Sequence, residues 1–274
     1  MSDHLSIRGR AWFTGLTGVA TVMPGDPDSV LTADAKLGNE KARFLCVVPN
    51  PNARFPCARQ GEVGLEEAYT IAFRVREAMD ADEDGSKRPI VAIVDVKSQA
   101  YGRREEIAAI FLAAAAAANA YADARMAGHP VISLVVGHAL SGGFLTHGYQ
   151  ANRILALDDE CVVIHAMHKE AAARITRRSV DQLDELAHSV VPMSYDVHDF
   201  AKLGLLHALL HADSPEQPKP QDIKKVSQDL AAAAQDAREG PLDLSNRWSS
   251  AEAQVTRKAT RLVREHMRQA WNEG

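Results

Sequence analysis

Apolar positions along the chain alternate between two periods. Strand-length runs occur at Arg43–Val48 (RFLCVV), Pro89–Val96 (PIVAIVDV) and Val131–Val136 (VISLVV), and they are rich in β-branched residues. Between the first two, Leu65, Ala68, Ile71, Ala72, Val75 and Met79 keep the spacing of one helical face, predicting a helix over 65–80. A second helix is predicted from Arg103 to Ala127, built on the alanine run Ala113–Ala118; alanine suits a helix that approaches its neighbours closely. Glu105 and Glu106 complement that helix's N-terminus, whereas Arg103 and Arg104 do not. Residues 153–165 (RILALDDECVVIH) read as two short strands about Asp158–Asp159. Three short helices follow near 169–177, 180–188 and 195–203, then a last apolar segment, GLLHALL. Three prolines in ADSPEQPKPQ mark a linker, and the remainder is helical in two stretches. No internal repeat has a solenoid period. Alternating strands and helices predict an α/β fold with mostly parallel pairing; the pattern favours a doubly wound sheet but does not distinguish it from a spiral of strand-strand-helix units.

The third strand run ends in an unusual way: Val131–Gln150 reads VISLVVGHALSGGFLTHGYQ, with two adjacent glycines where a helix should begin. A dinucleotide fingerprint fails because Ala139 stands where its second glycine belongs. A P-loop fails because Gly143 and Phe144 replace Lys and Ser/Thr. A nucleophile elbow misses by one residue, since Ala139 precedes Ser141 where glycine is usual; Asp158 or Asp196 and His207 or His211 follow in the right chain order. Two further readings need no side-chain chemistry. Gly142 and Gly143 permit tight packing, or they expose helix-start amides to an anionic oxygen, with Ser141 as N-cap. His138 and His147 flank the glycines and are candidate proton donors. His165 and His168 have a spacing compatible with metal, but no third ligand accompanies them. The loop Pro49–Gly64, with its prolines and glycines, is long enough to serve a site.

Composition narrows the class. The chain has 274 residues, 46% hydrophobic and 24% charged, with a formal net charge of −5, which argues against wholesale binding of nucleic-acid phosphates. No uncharged apolar run is long enough to span a membrane, and the first ten residues lack the apolar core of a signal peptide, so a cytoplasmic location is expected. Cys46, Cys57 and Cys161 are odd in number and widely spaced; buried free thiols are expected rather than disulfides or a zinc ribbon.

Several stretches together resemble one family. VISLVVGHALSGGFL, IVDVKSQAYGRREE and ILALDDECVVIHAMHKEAAARIT are similar, in that order, to crotonase-like acyl-CoA carboxyltransferase subunits. The leading RFLCVVPNPNARFPCARQGEVGLEEAY resembles the gamma subunits of biotin-independent malonate decarboxylases, and the likeness spans most of Trp12–Leu210. The resemblance implies an α/β crotonase-like spiral over residues 1–212, with a linker and a helical extension over 213–274 that packs on the domain or a partner. It implies a carboxy-lyase subunit, active with a beta subunit, that converts malonyl-S-acyl carrier protein to the acetyl form and carbon dioxide. No cofactor or metal would bind directly: the substrate rides on the CoA-derived prosthetic group of an acyl carrier protein, and an acyl transferase subunit completes the holoenzyme. Gly142 and Gly143 would supply oxyanion-hole amides, for the thioester oxygen or the departing carboxylate. Gln99, Tyr101, Gly102, His138 and Ser141 would contact substrate. A biotin-dependent carboxyltransferase subunit, a scaffold without catalytic groups and a Ser141 hydrolase are the alternatives. The final stretch places Trp248, Ala251, Val255, Ala259, Leu262 and His266 on one face. Arg257, Lys258, Arg261, Arg264 and Arg268 lie on the other, expected to be a solvated face or a contact for the beta subunit or an acidic carrier.

Overall fold

The computed structural model describes residues 5–273. The chain opens with helix α1 (Arg8–Thr17), followed by the antiparallel hairpin β1 (Val30–Leu37) and β2 (Glu40–Val47), turned at Gly38–Asn39. Helix α2 (Leu65–Ala81) leads to β3 (Ile90–Val96), every residue of which is buried. The long alanine helix predicted next is broken in two, α3 (Arg103–Ile107) and α4 (Ile110–Met126), because Ala109 takes a left-handed conformation at φ 60°. Strand β4 (Val131–Leu140) runs directly into the short helix α5 (Ser141–Thr146). Then come β5 (Arg153–Leu157), β6 (Val163–His165), α6 (Lys169–Thr176), α7 (Val180–Ala187), α8 (Val197–Lys202), β7 (Ala208–Leu210), α9 (Pro220–Glu239), α10 (Ala251–Thr256) and α11 (Lys258–Glu273).

The sheet order is β1-β2-β3-β4-β5-β7, with all pairs parallel except β1–β2, and β6 pairs with the end of β4. Strand order follows chain order without reversal. The switch point of a doubly wound sheet is therefore missing, and the arrangement is the spiral alternative. The alanine run acts as predicted: Ala113, Ala117, Ala120 and Ala124 are buried, and α4 packs against α2 at close range. Helix α9 is not a loose extension. Val226, Leu230, Ala233, Ala234 and Ala237 join the main core, and α9 rests on α1, β1, β4 and β5. Helix α11 differs, since every described side chain along it is exposed.

One irregularity positions the glycine turn. Val94 of β3 pairs with Val135, but Val96 pairs with Ala139, so β4 carries two extra residues at this point. Before this bulge β4 pairs with β5 through Ile132–Val135; after it, His138–Leu140 pair with β6. Bulged backbone loses its ladder partners, and side chains replace them. The buried Arg8 guanidinium donates to the Val136 carbonyl at 3.1 Å and is neutralised by Asp159 at 2.7 Å and Glu216 at 2.6 Å. Asp95 accepts from the His138 amide at 3.1 Å, from the Gly9 amide at 3.3 Å and from the Ser6 hydroxyl at 2.5 Å. Burial opposes ionisation of Asp95, yet its bonds from His138 and Ser6 hold its carboxyl below the usual range. Gly137 is glycine because a Cβ there would collide with the Asp95 carboxylate.

The collision predicts a contrast between two Gly→Ala changes. Gly137→Ala should lower the unfolding free energy by about 1–3 kcal/mol in urea titrations. Gly85→Ala, at a position with nothing within 4 Å, should change it by no more than about 0.5 kcal/mol. Equal effects would contradict the packing described here.

Candidate active site

Leu140 is the N-cap of α5, in extended conformation and without a side-chain cap, so Ser141 is not the N-cap expected from sequence. Ser141 is instead the first helical residue and has a left-handed φ of 57°, a sparsely populated state for a non-glycine residue. Its hydroxyl lies 3.1 Å from that of Tyr101 and caps no amide. This sharp bend leaves Gly142 and Gly143 in the first turn, where amides have no partner within the helix. Among the described residues, no hydrogen bond takes up either amide.

The identity of both glycines follows from close approach to the loop after β3. A Cβ at Gly143 would strike the Ser98 carbonyl, and one at Gly142 would come within 2.6 Å of Gln99 Oε1. The tight-packing reading therefore holds, and it leaves the amide reading open. The α-carbons pack while the nitrogens stay unbonded. Gln99 Oε1 is itself buried without a donor, as are side-chain atoms of Thr32, Glu105, His129, Ser133 and Asn246, a state that costs about 1–3 kcal/mol. The loop is fixed from behind: Val63 donates to Ser98 at 2.9 Å and Ala100 to Val63 at 2.9 Å, so the long loop Pro49–Gly64 braces it. Gly102 has a packing reason too, since a Cβ there would overlap the Glu105 carboxylate and Cys57 Sγ. Arg103 and Arg104 are exposed.

The structure brings Gln99, Tyr101, Ser141, Gly142 and Gly143 together, with Gly102 at the margin. It sets His138 apart. That side chain, half-exposed and 3.8 Å from Asp95, opens into a cavity of about 410 Å³ with Arg8, Cys161 and Glu216, which no residue of the Ser141 turn lines. His147 is excluded as a proton donor. It is fully buried, with Nδ1 2.9 Å from the Tyr121 hydroxyl and Nε2 3.0 Å from the Ile93 carbonyl. Burial pushes its pKa down to about 4, so it is neutral, donating to Ile93 and accepting from Tyr121. Burial pushes the Tyr121 hydroxyl up. No triad forms at Ser141. Asp158 and Asp196 engage His198, His207 faces Asp236, and His211 pairs with Asp213. His165 stacks on Tyr195 with ring centroids 4.0 Å apart, and among the described residues no group of three or more His, Cys, Asp or Glu is placed to hold a metal. Of the cysteines, only Cys46 is buried; Cys57 is half-buried and Cys161 exposed, so the expectation of three buried thiols is corrected.

Sequence reading missed the supports of the bend, Ser6, Arg8 and Asp95. The available signal was one aspartate inside an otherwise apolar strand run.

Around the turn lies an apolar surface. Tyr101, Ile107, Phe111, Leu112 and Leu145 are all exposed, on the loop, α3, α4 and α5. Helix α4 carries only Asp123 and Arg125 as charges, the composition of a helix covered on all sides.

Comparison with known proteins gives consistent likenesses. Residues 58–271 match the family described as malonate decarboxylase gamma subunit. The malonyl-S-ACP:biotin-protein carboxyltransferase MADD of Malonomonas rubra is 33% identical over 230 residues, covering 81% of this chain and 74% of its own. A chain of the Pseudomonas malonate decarboxylase hetero-tetramer in complex with coenzyme A superposes with a TM-score of 0.90 at 51% identity, covering 94% of this chain and 99% of that one. A chain of the Pseudomonas MdcD–MdcE hetero-dimer gives 0.87 at 50% identity, covering 96% and 99%. The transcarboxylase 12S core, at 17% identity and a TM-score of 0.64, shares the fold over 86% of this chain and 42% of its own. Among the described residues, no helix is long and apolar enough to cross a membrane.

The buried His147 predicts a pH signature. An unfolded histidine takes up its proton near pH 6.5 and the folded one only near pH 4, so the unfolded state binds more protons between those values. Its contribution to stability is complete above pH 6.5 and is lost as pH falls toward 4, at up to about 1.4 kcal/mol per pH unit. Urea denaturation of His147→Gln across that window should show a shallower slope than the parent; an unchanged slope would exclude this group as the source.

Proposed function

The chain belongs to the malonate decarboxylase gamma-subunit family, and from that membership we propose that it works with a beta subunit of related fold to decarboxylate a malonyl thioester borne on the prosthetic arm of an acyl carrier protein. The observation that carries the reading is the pair of unbonded amides at Gly142 and Gly143, held by the strained Ser141 beside the undonated Gln99 Oε1. As the bond between the methylene carbon and the carboxylate breaks, its electron pair moves into an enolate on the thioester oxygen and carbon dioxide departs. Protonation of the methylene carbon then gives the acetyl thioester. The negative charge on the thioester oxygen grows only as that bond breaks, so amides aimed at it favour the transition state over bound substrate. One such donor contributes about 3 kcal/mol. Neither nucleophile nor metal is needed for this chemistry. Gln99, Tyr101 and Ser141 border the same place and orient the acyl group, and Gly102 lets their loop approach.

The exposed apolar surface formed by Tyr101, Ile107, Phe111, Leu112 and Leu145 supports a site completed by a partner. A subunit seated there excludes water and so strengthens the hydrogen bonds to the enolate. The Pseudomonas relatives, matched over nearly their whole length, are a hetero-dimer and hetero-tetramer. A second reading, transfer of the carboxyl group to a biotin protein, is favoured by the name of MADD. The higher identity to the Pseudomonas decarboxylase chains, 50–51% against 33%, supports release as carbon dioxide.

The test uses the chain assembled with its beta partner, with carbon dioxide release followed on malonyl-carrier thioester. Gly143 is unsuited to substitution because of Ser98, but room can be made at Gly142 by truncating Gln99. With Gln99→Ala as the common background, Gly142→Ala keeps the amide proton and Gly142→Pro removes it. The proline variant should be slower in kcat by about 100-fold than the alanine variant. Equal rates in folded complexes would refute the amide assignment. Avidin should leave wild-type turnover unchanged; inhibition would establish the biotin reading instead.

A further inference from the structure

Helix α11 carries a charge pattern that works against its own stability, and an anionic neighbour would relieve it. Its first turn has no acidic residue and its last turn no basic one, the reverse of what the helix dipole favours. Lys258, Arg261, Arg264 and Arg268 follow each other at spacings of three or four, where like charges repel. A 16-residue helix without buried side chains is marginal in water even before these penalties. The cations are exposed, and one of them also has an aromatic neighbour. The Arg264 guanidinium lies 4.8 Å from the ring centre of Trp248, which Arg257 also covers at 3.5 Å, and the basic side of α11 turns toward that ring. Between them is a cavity of about 520 Å³ lined by Trp248, Lys258, Arg261, Arg264, Glu265 and Arg268. Glu265 is taken by Arg268 at 2.5 Å; Lys258, Arg261 and Arg264 have no carboxylate partner among the described residues. Beside this cluster Val263, Met267 and Trp271 form an exposed stripe, with Trp271 87% exposed.

A small anion would neutralise the cavity but leave that stripe bare. A protein surface bearing carboxylates next to apolar residues satisfies both, on a chain whose overall charge is −5 and whose cations are concentrated here. The cavity is also tied to the glycine turn. Phe144 of α5 packs edge-on against Tyr149 at 5.4 Å, and the Tyr149 ring lies 4.9 Å below Arg247. The Arg247 carbonyl in turn accepts from Arg257 at 3.2 Å. We propose that α11 and Trp248 form the docking surface for the acidic protein that carries the acyl thioester. This rests on the reading that the substrate is protein-borne.

The experiment uses the assembled complex and the pair Lys258→Glu and Arg261→Glu, combined in one variant, away from the Trp248 stack and from the glycine turn. The probes are fluorescently labelled malonyl-carrier protein, read by anisotropy, and malonyl-pantetheine, a carrier-free substrate. The variant should bind the carrier at least about tenfold more weakly at low salt, with the difference shrinking as salt rises. Its KM for malonyl-carrier should rise in parallel while kcat/KM for malonyl-pantetheine stays within about twofold of the parent. Unchanged carrier binding at low salt overturns the proposal. So does loss of the beta subunit on gel filtration with carrier affinity intact, which would make α11 an assembly contact. Failure of the wild-type complex to decarboxylate malonyl-pantetheine would count against the catalytic reading, whereas the anisotropy comparison decides docking without reference to turnover.

Discussion

At Gly137 the backbone of β4 leaves one strand partner for another, and two buried charged side chains hold it there. Arg8 supplies the donor that the Val136 carbonyl has lost, and Asp95 supplies the acceptor for the His138 amide. Without them the bulge would bury unpaired backbone groups, each costing about 1–3 kcal/mol. With them, the last residues of β4 pair with β6 and the chain enters α5 through a left-handed serine. The glycine turn thus follows directly on a stretch of strand that this electrostatic clamp holds in place. The clamp also removes its own members from chemistry: the Asp95 carboxylate is engaged on both oxygens, and the Arg8 charge is met by Asp159 and Glu216.

The same economy governs the glycines. Three of those in the turn region have neighbours that forbid a side chain: the Asp95 carboxylate at Gly137, Gln99 at Gly142 and the Ser98 backbone at Gly143. Close packing and anion recognition are often weighed as rival explanations of a Gly-Gly pair. Here the packing is compatible with anion recognition, since it engages the α-carbons and leaves the amides without a partner among the described residues. Because α5 is pressed against the loop after β3, its free amides and the side chains of Gln99 and Tyr101 occupy one place. His147, at the end of α5, is neutral and tied to both Tyr121 and Ile93, so it does not titrate near neutral pH.

Much of this was legible in the sequence because it depends on period and on residue type. The strands at Arg43, Pro89 and Val131 were marked by unbroken apolar runs, and the helix beginning at Leu65 by its spacing. What escaped notice depended on single residues whose meaning is tertiary. The hairpin of β1 and β2 was overlooked although Gly38–Asn39 is a two-residue turn signal, since Asp34 and Lys36 interrupt the apolar pattern. The break at Ala109 has no glycine or proline to announce it. Ser141 reads as an N-cap because serine caps helices locally, but Leu140 takes that position and the serine hydroxyl lies beside that of Tyr101 instead. The resemblance to a known family replaced the doubly wound guess with a spiral, which periodicity alone had left open.

The distribution of exposed apolar residues follows from a fold that builds half of a site. Helix α4 is apolar around most of its circumference, yet only its alanine side, toward α2 and the sheet, is covered. A chain acting alone would gain by placing charge at Ile107, Phe111 and Leu112, since an exposed apolar surface invites aggregation. Retaining it is reasonable only where another surface is regularly present. Water at an unclosed glycine turn would compete for the two amides and weaken their hold on a developing enolate. On the function proposed above, the apolar surface and the unbonded amides would express one requirement, a partner that seals the turn from water.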